Sequence, residues 1–223
     1  MTQMLRRNSL PRTAQPTVAA TAILDVSEQL AQTRGYNGFS YADVALRLGL
    51  TKASLHYHFP SKAELGRALI ERYSTLFQSA LEAIDQEVPK PHEKLQRYVG
   101  LYSSVLSNDR MCLCGMLAAE YATLPAPMQE GLKLFFDANE RWLTTVLEHG
   151  LRTGALLFRE PASERARMLL GALEGAMLMA RSYGDARRFQ AAATCLLSDL
   201  GASRHSKLRQ TPKGTAVRRS RRA

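Results

Sequence analysis

The 223-residue chain carries 30 Lys and Arg against 20 Asp and Glu, a formal charge of +10, and 45% of its residues are hydrophobic. That length and apolar content suffice to bury a core in one large domain or two small ones, and no apolar run reaches membrane-spanning length. The charge excludes less than it first suggests: residues 1–15 hold three Arg and residues 202–223 eight Lys or Arg, neither with any acid, while the 186 residues between them carry 19 basic and 20 acidic groups.

In chain order, residues 1–15 read as a disordered basic arm. Arg6-Arg7 is followed by Asn8 to Gln15, which supplies no apolar stretch of the kind a signal peptide needs, so the expected location is the cytoplasm. Residues 16–62 form the first expected folded unit. Within it, the segment from Phe39 to Lys62 reads as two short helices joined by a glycine turn. Ser40 and Asp43 have capping-box spacing, and Val44, Ala45 and Leu48 form a buried stripe. Gly49 supplies the left-handed residue that a helix stop favours. Thr51 can cap a second helix from about Lys52 to His58, with Ala53, Leu55 and Phe59 inward. At that length the helix has to be held by its neighbours. Pro60 stops it, and Ser61 with Glu64 repeats the capping-box spacing at the start of a longer helix.

These spacings describe a helix-turn-helix. Together with Ile23 to Leu30 and Gly35-Tyr36-Asn37-Gly38-Phe39, the stretch closely resembles the N-terminal domain of the TetR family of bacterial transcriptional repressors, over roughly residues 16–70. The run from Leu55 to Lys62 carries the most specific part of the likeness. Family members often have Tyr directly after that Leu, whereas here His56 holds the place and Tyr57 follows. The resemblance implies a short recognition helix in the major groove, where base pairs show distinct donor and acceptor patterns. By the family pattern Lys52, Ser54 and His56 are the foremost DNA contacts, with Tyr57 close behind and Thr51 at the helix start. His58 either joins them or packs at the helix end. Ser40, Tyr41 and Lys62, at helix starts, are expected to meet phosphates.

Beyond Ser61 the periodicity is helical throughout, so the fold is expected to be all-α. An N-terminal three-helix helix-turn-helix domain would precede a larger helical domain over residues 63–201, for effector binding and dimerisation. Helices are predicted over about Ser61–Gln86, His92–Ser107, Cys112–Leu124, a stripe from Leu132 to Gly154, Ala162–Ser182 and Asp185–Leu200. The first of these places Leu65, Leu69, Ile70, Tyr73, Leu76, Phe77, Leu81 and Ile84 on one stripe. The last two, rich in Gly, Ala and Met, show more than one apolar face. The resemblance assigns them, at about 162–200, to a homodimer interface. Residues 202–223 read as a disordered basic tail that could add phosphate contacts.

A regulator of this plan needs a ligand-responsive cavity between His92 and Ser182. Its candidate lining residues are Tyr98, Tyr102, Cys112, Met116, Glu120, Tyr121, Phe135, Asn139, Trp142 and Met177. Asn139 stands out because an amide on an apolar stripe needs a partner once buried, whether protein, water or effector. The inventory suits a small apolar or aromatic effector. Cys112 and Cys114 either pack inertly or offer a rival thiol sensor for oxidants or electrophiles, with Arg110 as the nearby cation in sequence. The three cysteines do not make a disulfide framework, and the Cys-x-Cys spacing and lack of a His pair disfavour zinc. No phosphate loop, nucleophile elbow or acid pair indicates an enzyme, a catalytic residue or a cofactor. The expected partners are a palindromic double-stranded operator, a second copy of the chain and a small effector, with no membrane. A non-selective DNA-compacting architectural protein is the reading from another class.

Overall fold

The computed structural model describes residues 17–201, so the basic arm 1–15 and the basic tail 202–223 lie outside the described residues. Among the described residues the secondary structure is helical, with no strand. Helix α1 spans Val18–Arg34, α2 Tyr41–Leu48, α3 Lys52–His58, α4 Lys62–Glu87 and α5 Pro91–Ser107. Helix α6 spans Leu113–Ala119 and is followed by a 3-10 turn at Tyr121–Thr123. Helices α7 (Ala126–Thr153), α8 (Ala162–Ser182) and α9 (Ala186–Ser198) complete the order.

The local signals act where the residue types place them. Gly49 adopts φ 65°, and its N–H closes α2 on the Ala45 carbonyl. Thr51 Oγ1 accepts from the Ser54 N–H at 3.2 Å and starts α3. Ser61 and Glu64 form a full reciprocal box at α4. At α2, both the N–H and the hydroxyl of Ser40 donate to the Asp43 carboxylate, at 2.8 and 2.6 Å. Each such cap stabilises a helix start by about 1 kcal/mol, because it pairs a backbone group the first turn leaves free.

Helices α1 to α3 form a head on the first turns of α4, and α4 runs on without a break into the body. There α7 packs on α4 and α8, while α9 packs on α5 and α8. One hydrophobic cluster runs from Ile23 and Leu55 in the head to Leu173 and Phe189 in the body. Two expected inward positions differ from the structure. Ala53 is exposed, so α3 is anchored by Leu55 and the half-buried Phe59. Leu76 is exposed as well, because α4 turns that face to solvent between Tyr73 and Phe77. The expected helix over Cys112–Leu124 is shorter than its pattern. Helix α6 stops at Ala119 because Glu120 leaves the helix and turns its side chain toward the loop after α1. No described helix is long and apolar enough to cross a membrane.

Candidate nucleic-acid interface and effector region

The outer face of α3 is built from side chains that its buried side leaves free. Leu55 is wholly buried and holds the helix to the head, which turns Lys52, His56 and Tyr57 outward. Tyr57 is 84% exposed. An aromatic ring left in water on a helix of this length has little packing value to the monomer. His58 is half-buried, its ring edge-on to Tyr57 at 5.2 Å, and Ser54 is half-buried behind the Thr51 cap. His56 lies 4.7 Å from the Tyr41 ring, with Nδ1 3.1 Å from the Pro60 carbonyl. A carbonyl can only accept, so Nδ1 carries the proton and Nε2 is left to face outward. A groove of about 320 Å³ between α2 and α3 is lined by Phe39, Ser40, Tyr41, Ala42, Lys52, His56 and Lys62.

Two expected phosphate contacts are engaged elsewhere. Lys62 Nζ donates to the carbonyls of Tyr36 and Phe39 at 2.6 and 2.5 Å and rests over both of their rings. Desolvation lowers its pKa. Most of its hydrogen-bonding capacity therefore staples the loop between α1 and α2 onto α4. The Tyr41 hydroxyl donates to the Phe59 carbonyl at 2.7 Å, and burial pushes its pKa up to about 12. It fixes the end of α3. Backbone acceptors in a loop leave no trace in residue type, so neither bond is legible in the sequence.

In the body, the structure gathers Tyr98 and Tyr102 of α5 with Phe135, Asn139 and Trp142 of α7. Tyr98 donates to Asn139 Oδ1 at 3.0 Å, and Asn139 Nδ2 donates to the Phe135 carbonyl at 2.9 Å. The Tyr98 proton is thereby used, so in the 3.1 Å contact between the two hydroxyls it is Tyr102 that donates. Asn139 thus has protein partners. Trp142 stacks on Tyr98 with centroids 5.4 Å apart, and its indole N–H donates to Asp85 at 2.9 Å. Tyr73 and Phe77 of α4 extend the cluster through Phe135. Met177 is fully buried and Met116 half-buried.

Glu120 and Tyr121 do not line this region. The Glu120 carboxylate accepts from the N–H groups of Tyr36, at 2.7 Å, and Asn37, at 3.2 Å, in the head. Gly35 next to them has φ 81°, and a β-carbon there would stand 2.6 Å from Glu120 Oε1, so conformation and close approach both require glycine. Tyr121 is on the surface, with Lys133 Nζ 5.9 Å from its ring centroid. A second link joins body to head: Arg181 of α8 donates to the carbonyls of Gln32, at 2.9 Å, and Thr33, at the end of α1. The Met111 N–H also donates to the Gln32 carbonyl, at 3.3 Å. These carboxylate and guanidinium contacts tie opposite ends of the turn after α1 to the body.

Cys112 and Cys114 are buried, and burial drives both thiol pKa values well up. A sensing cysteine needs the reverse, an accessible thiolate. Their neighbour is the Glu174 carboxyl of α8, which the sequence reading passed over. Its signal was available. Glu174 falls on the same helical stripe as Leu170 and Met177, as Asn139 does among the apolar residues of α7.

Residues 23–69 match the family model described as bacterial regulatory proteins, tetR family. A transcriptional regulator of the TetR family from Agrobacterium tumefaciens has a solved structure that superposes with TM-score 0.81 at 33% identity, covering 84% of this chain and 100% of that one. The chain belongs to the TetR family. A TetR transcriptional regulator from Legionella pneumophila superposes with TM-score 0.74 at 32% identity, over 80% of this chain and 95% of that one. The HTH-type transcriptional repressor DhaR of Mycobacterium sp. strain GP1 is 23% identical over 158 residues, 70% of this chain and 79% of its own length. The protein is a TetR-type transcriptional regulator, and the helix-turn-helix is its DNA-binding element. The all-α expectation and the family resemblance both hold.

Proposed function

We propose that the protein is a repressor that binds a near-palindromic operator as a homodimer, and that a small effector held in the body releases it. The observation that carries this reading is the outward row of Lys52, His56 and Tyr57 on a helix whose opposite side is locked into the head. Base contacts come from this row, with Ser54, Thr51 and His58 at its margins, while the rim of the adjoining groove meets phosphates; Ser40, whose N–H and hydroxyl both donate to Asp43, holds the start of α2. Lys62 and Tyr41 act indirectly by setting the pose of α3.

Dimerisation is supported by α8, where Met168, Leu178 and Met179 are 47%, 41% and 56% exposed. Gly171 and Gly175 on the same helix open onto empty space. Small residues beside exposed methionines allow a second α8 to approach closely. Release follows if the effector favours a body conformation in which the Glu120 and Arg181 contacts hold the two heads at the wrong separation.

Footprinting on the DNA flanking the gene tests the whole reading. One short protected dyad in the presence of competitor DNA is expected, with a dimer mass in sedimentation. Uniform protection would establish the architectural alternative instead, and a concentration-independent monomer would remove the two-fold arrangement.

A further inference from the structure

Glu174 is half-buried as a residue, but its carboxyl points into the body, where Oε1 is closed off from solvent and has no hydrogen-bond partner. Its other oxygen lies against Gly115, where a β-carbon would stand 2.2 Å from Oε2. Burial pushes the Glu174 pKa up to about 7, and the Cys112 thiol beside it offsets only part of the rise. Among the described residues no cation offsets it. Arg181, further along the same helix, is engaged by the α1 carbonyls. A carboxyl buried this way is costly unless something pairs with it.

The surroundings define what that partner is. Burial raises the phenol pKa values of Tyr73, Tyr98 and Tyr102, and the nearby Glu174 charge adds to the rise in each. Aromatic rings attract cations, and an orphan acceptor needs an N–H or O–H donor. An anion would gain nothing from this lining, and a neutral alcohol would satisfy the oxygen without offsetting its charge.

We propose that the Glu174 carboxyl is the recognition group of a ligand site in the body, and that the ligand is a small protonated organic amine whose N–H donates to Oε1 beside the rings of Tyr73, Tyr98 and Tyr102. As the effector site this rests on the repressor reading above, whereas binding itself does not. Tyr98 and Tyr102 are fully buried, so entry has to part the packed helices. The liganded body therefore differs from the unliganded one, which is the differential affinity that release requires. Displacement of α8 at Glu174 reaches α1 directly, because Arg181 on that helix grips the Gln32 and Thr33 carbonyls.

The amine binds the ionised carboxyl, so each binding event below neutral pH releases the Glu174 proton to solvent. The phenols and thiols facing the site do not titrate in that range. Tyr73 from α4, Tyr98 and Tyr102 from α5, and Cys112 and Cys114 beside α6 are all pushed upward. Glu28 of α1, next to Cys114, is paired with Arg72.

The test is calorimetry and thermal shift on the full chain without DNA, at pH 6, 7 and 8. The probes are butylamine, benzylamine and phenethylamine, with butanol, benzyl alcohol and benzoate as neutral and anionic counterparts. At least one amine should bind and raise the Tm while its counterparts do not, with affinity rising by about fivefold from pH 6 to pH 7 and by about twofold more to pH 8. Glu174→Gln should weaken the amine at least about tenfold, a charge-assisted hydrogen bond having been lost, and should still bind operator DNA. The assignment is overturned if none of the amines binds, if Glu174→Gln binds them equally, or if affinity falls as pH rises. Binding that leaves an operator complex intact would uphold the site and refute effector release.

Discussion

Lys62 in the head and Glu174 in the body are both ionisable groups drawn out of water, and their surroundings treat them in opposite ways. Lys62 has two carbonyl acceptors and two aromatic faces. Glu174 has a buried oxygen with no partner among the described residues, and burial raises its pKa. In the head, desolvation is offset by contacts that the fold itself supplies, so the group is part of the scaffold that presents α3. In the body it is not offset. Ionisable groups perturbed by burial concentrate at functional sites, and Glu174 is the one in the body that the fold leaves without a partner among the described residues.

The comparison is broken most directly by removing the carboxylate. The Glu174 pKa is raised to about 7 in the fold, above its ordinary value of 4.5. The folded state thus holds more protons than the unfolded chain between those values, and stability falls as pH rises through that window. Glu174→Gln should therefore be nearly neutral at pH 4 and stabilise the unliganded protein by up to about 3 kcal/mol at pH 8. Denaturant titrations at both pH values check it. Equal effects at the two would mean that Glu174 is not the group that titrates.

On the other side, Lys62→Met keeps the stem but deletes the charge, leaving the carbonyls of Tyr36 and Phe39 without their donor. A loss of about 2 kcal/mol is expected, since hydrogen bonds to a charged group are the stronger kind. Operator affinity should fall with it, while the slope of affinity against salt stays near that of the parent. A slope reduced by about one unit would return Lys62 to the phosphate contacts.

The seam between the regions gives the next effect. Glu120→Gln keeps one acceptor oxygen but removes the charge that receives the Tyr36 and Asn37 N–H groups. About 1–2 kcal/mol of stability should be lost. If this contact relays the state of the body, effector and operator binding will also become less coupled, seen as a smaller shift of operator Kd at saturating effector. Unchanged coupling would leave Arg181 as the route.

Helix existence and type were legible because their causes are local. The caps at Ser40, Thr51 and Ser61, the stop at Gly49 and the apolar periods of α4, α5, α7, α8 and α9 each involve neighbours in sequence. The outward residues of α3 were legible for the same reason. Partners that residue type does not encode were not legible. Lys62 and Arg181 bind main-chain carbonyls, and Glu120 binds main-chain N–H groups. Such acceptors and donors become available only when a loop folds at a particular place. Glu174 was missed for a further reason: its meaning comes from what three other helices fail to provide. Asn139 was recognised as needing a partner, but Tyr98 lies on another helix, and only the tertiary packing could name it.

The Asn139 network supplies the finest test of whether satisfied polar groups in the body behave like those in the head. Its protons run in one direction, from Tyr102 to Tyr98, from Tyr98 to Asn139 Oδ1, and from Asn139 Nδ2 to the Phe135 carbonyl. Tyr102→Phe removes the first donor and leaves only a phenol oxygen that already serves another bond as donor, so it should cost about 0.5–1 kcal/mol. Tyr98→Phe strands both the Tyr102 proton and the Asn139 oxygen inside the core and should cost distinctly more, about 1–3 kcal/mol. Equal costs would mean that the bond from Tyr98 to Asn139 contributes nothing measurable and that the network ends at the contact between the two hydroxyls.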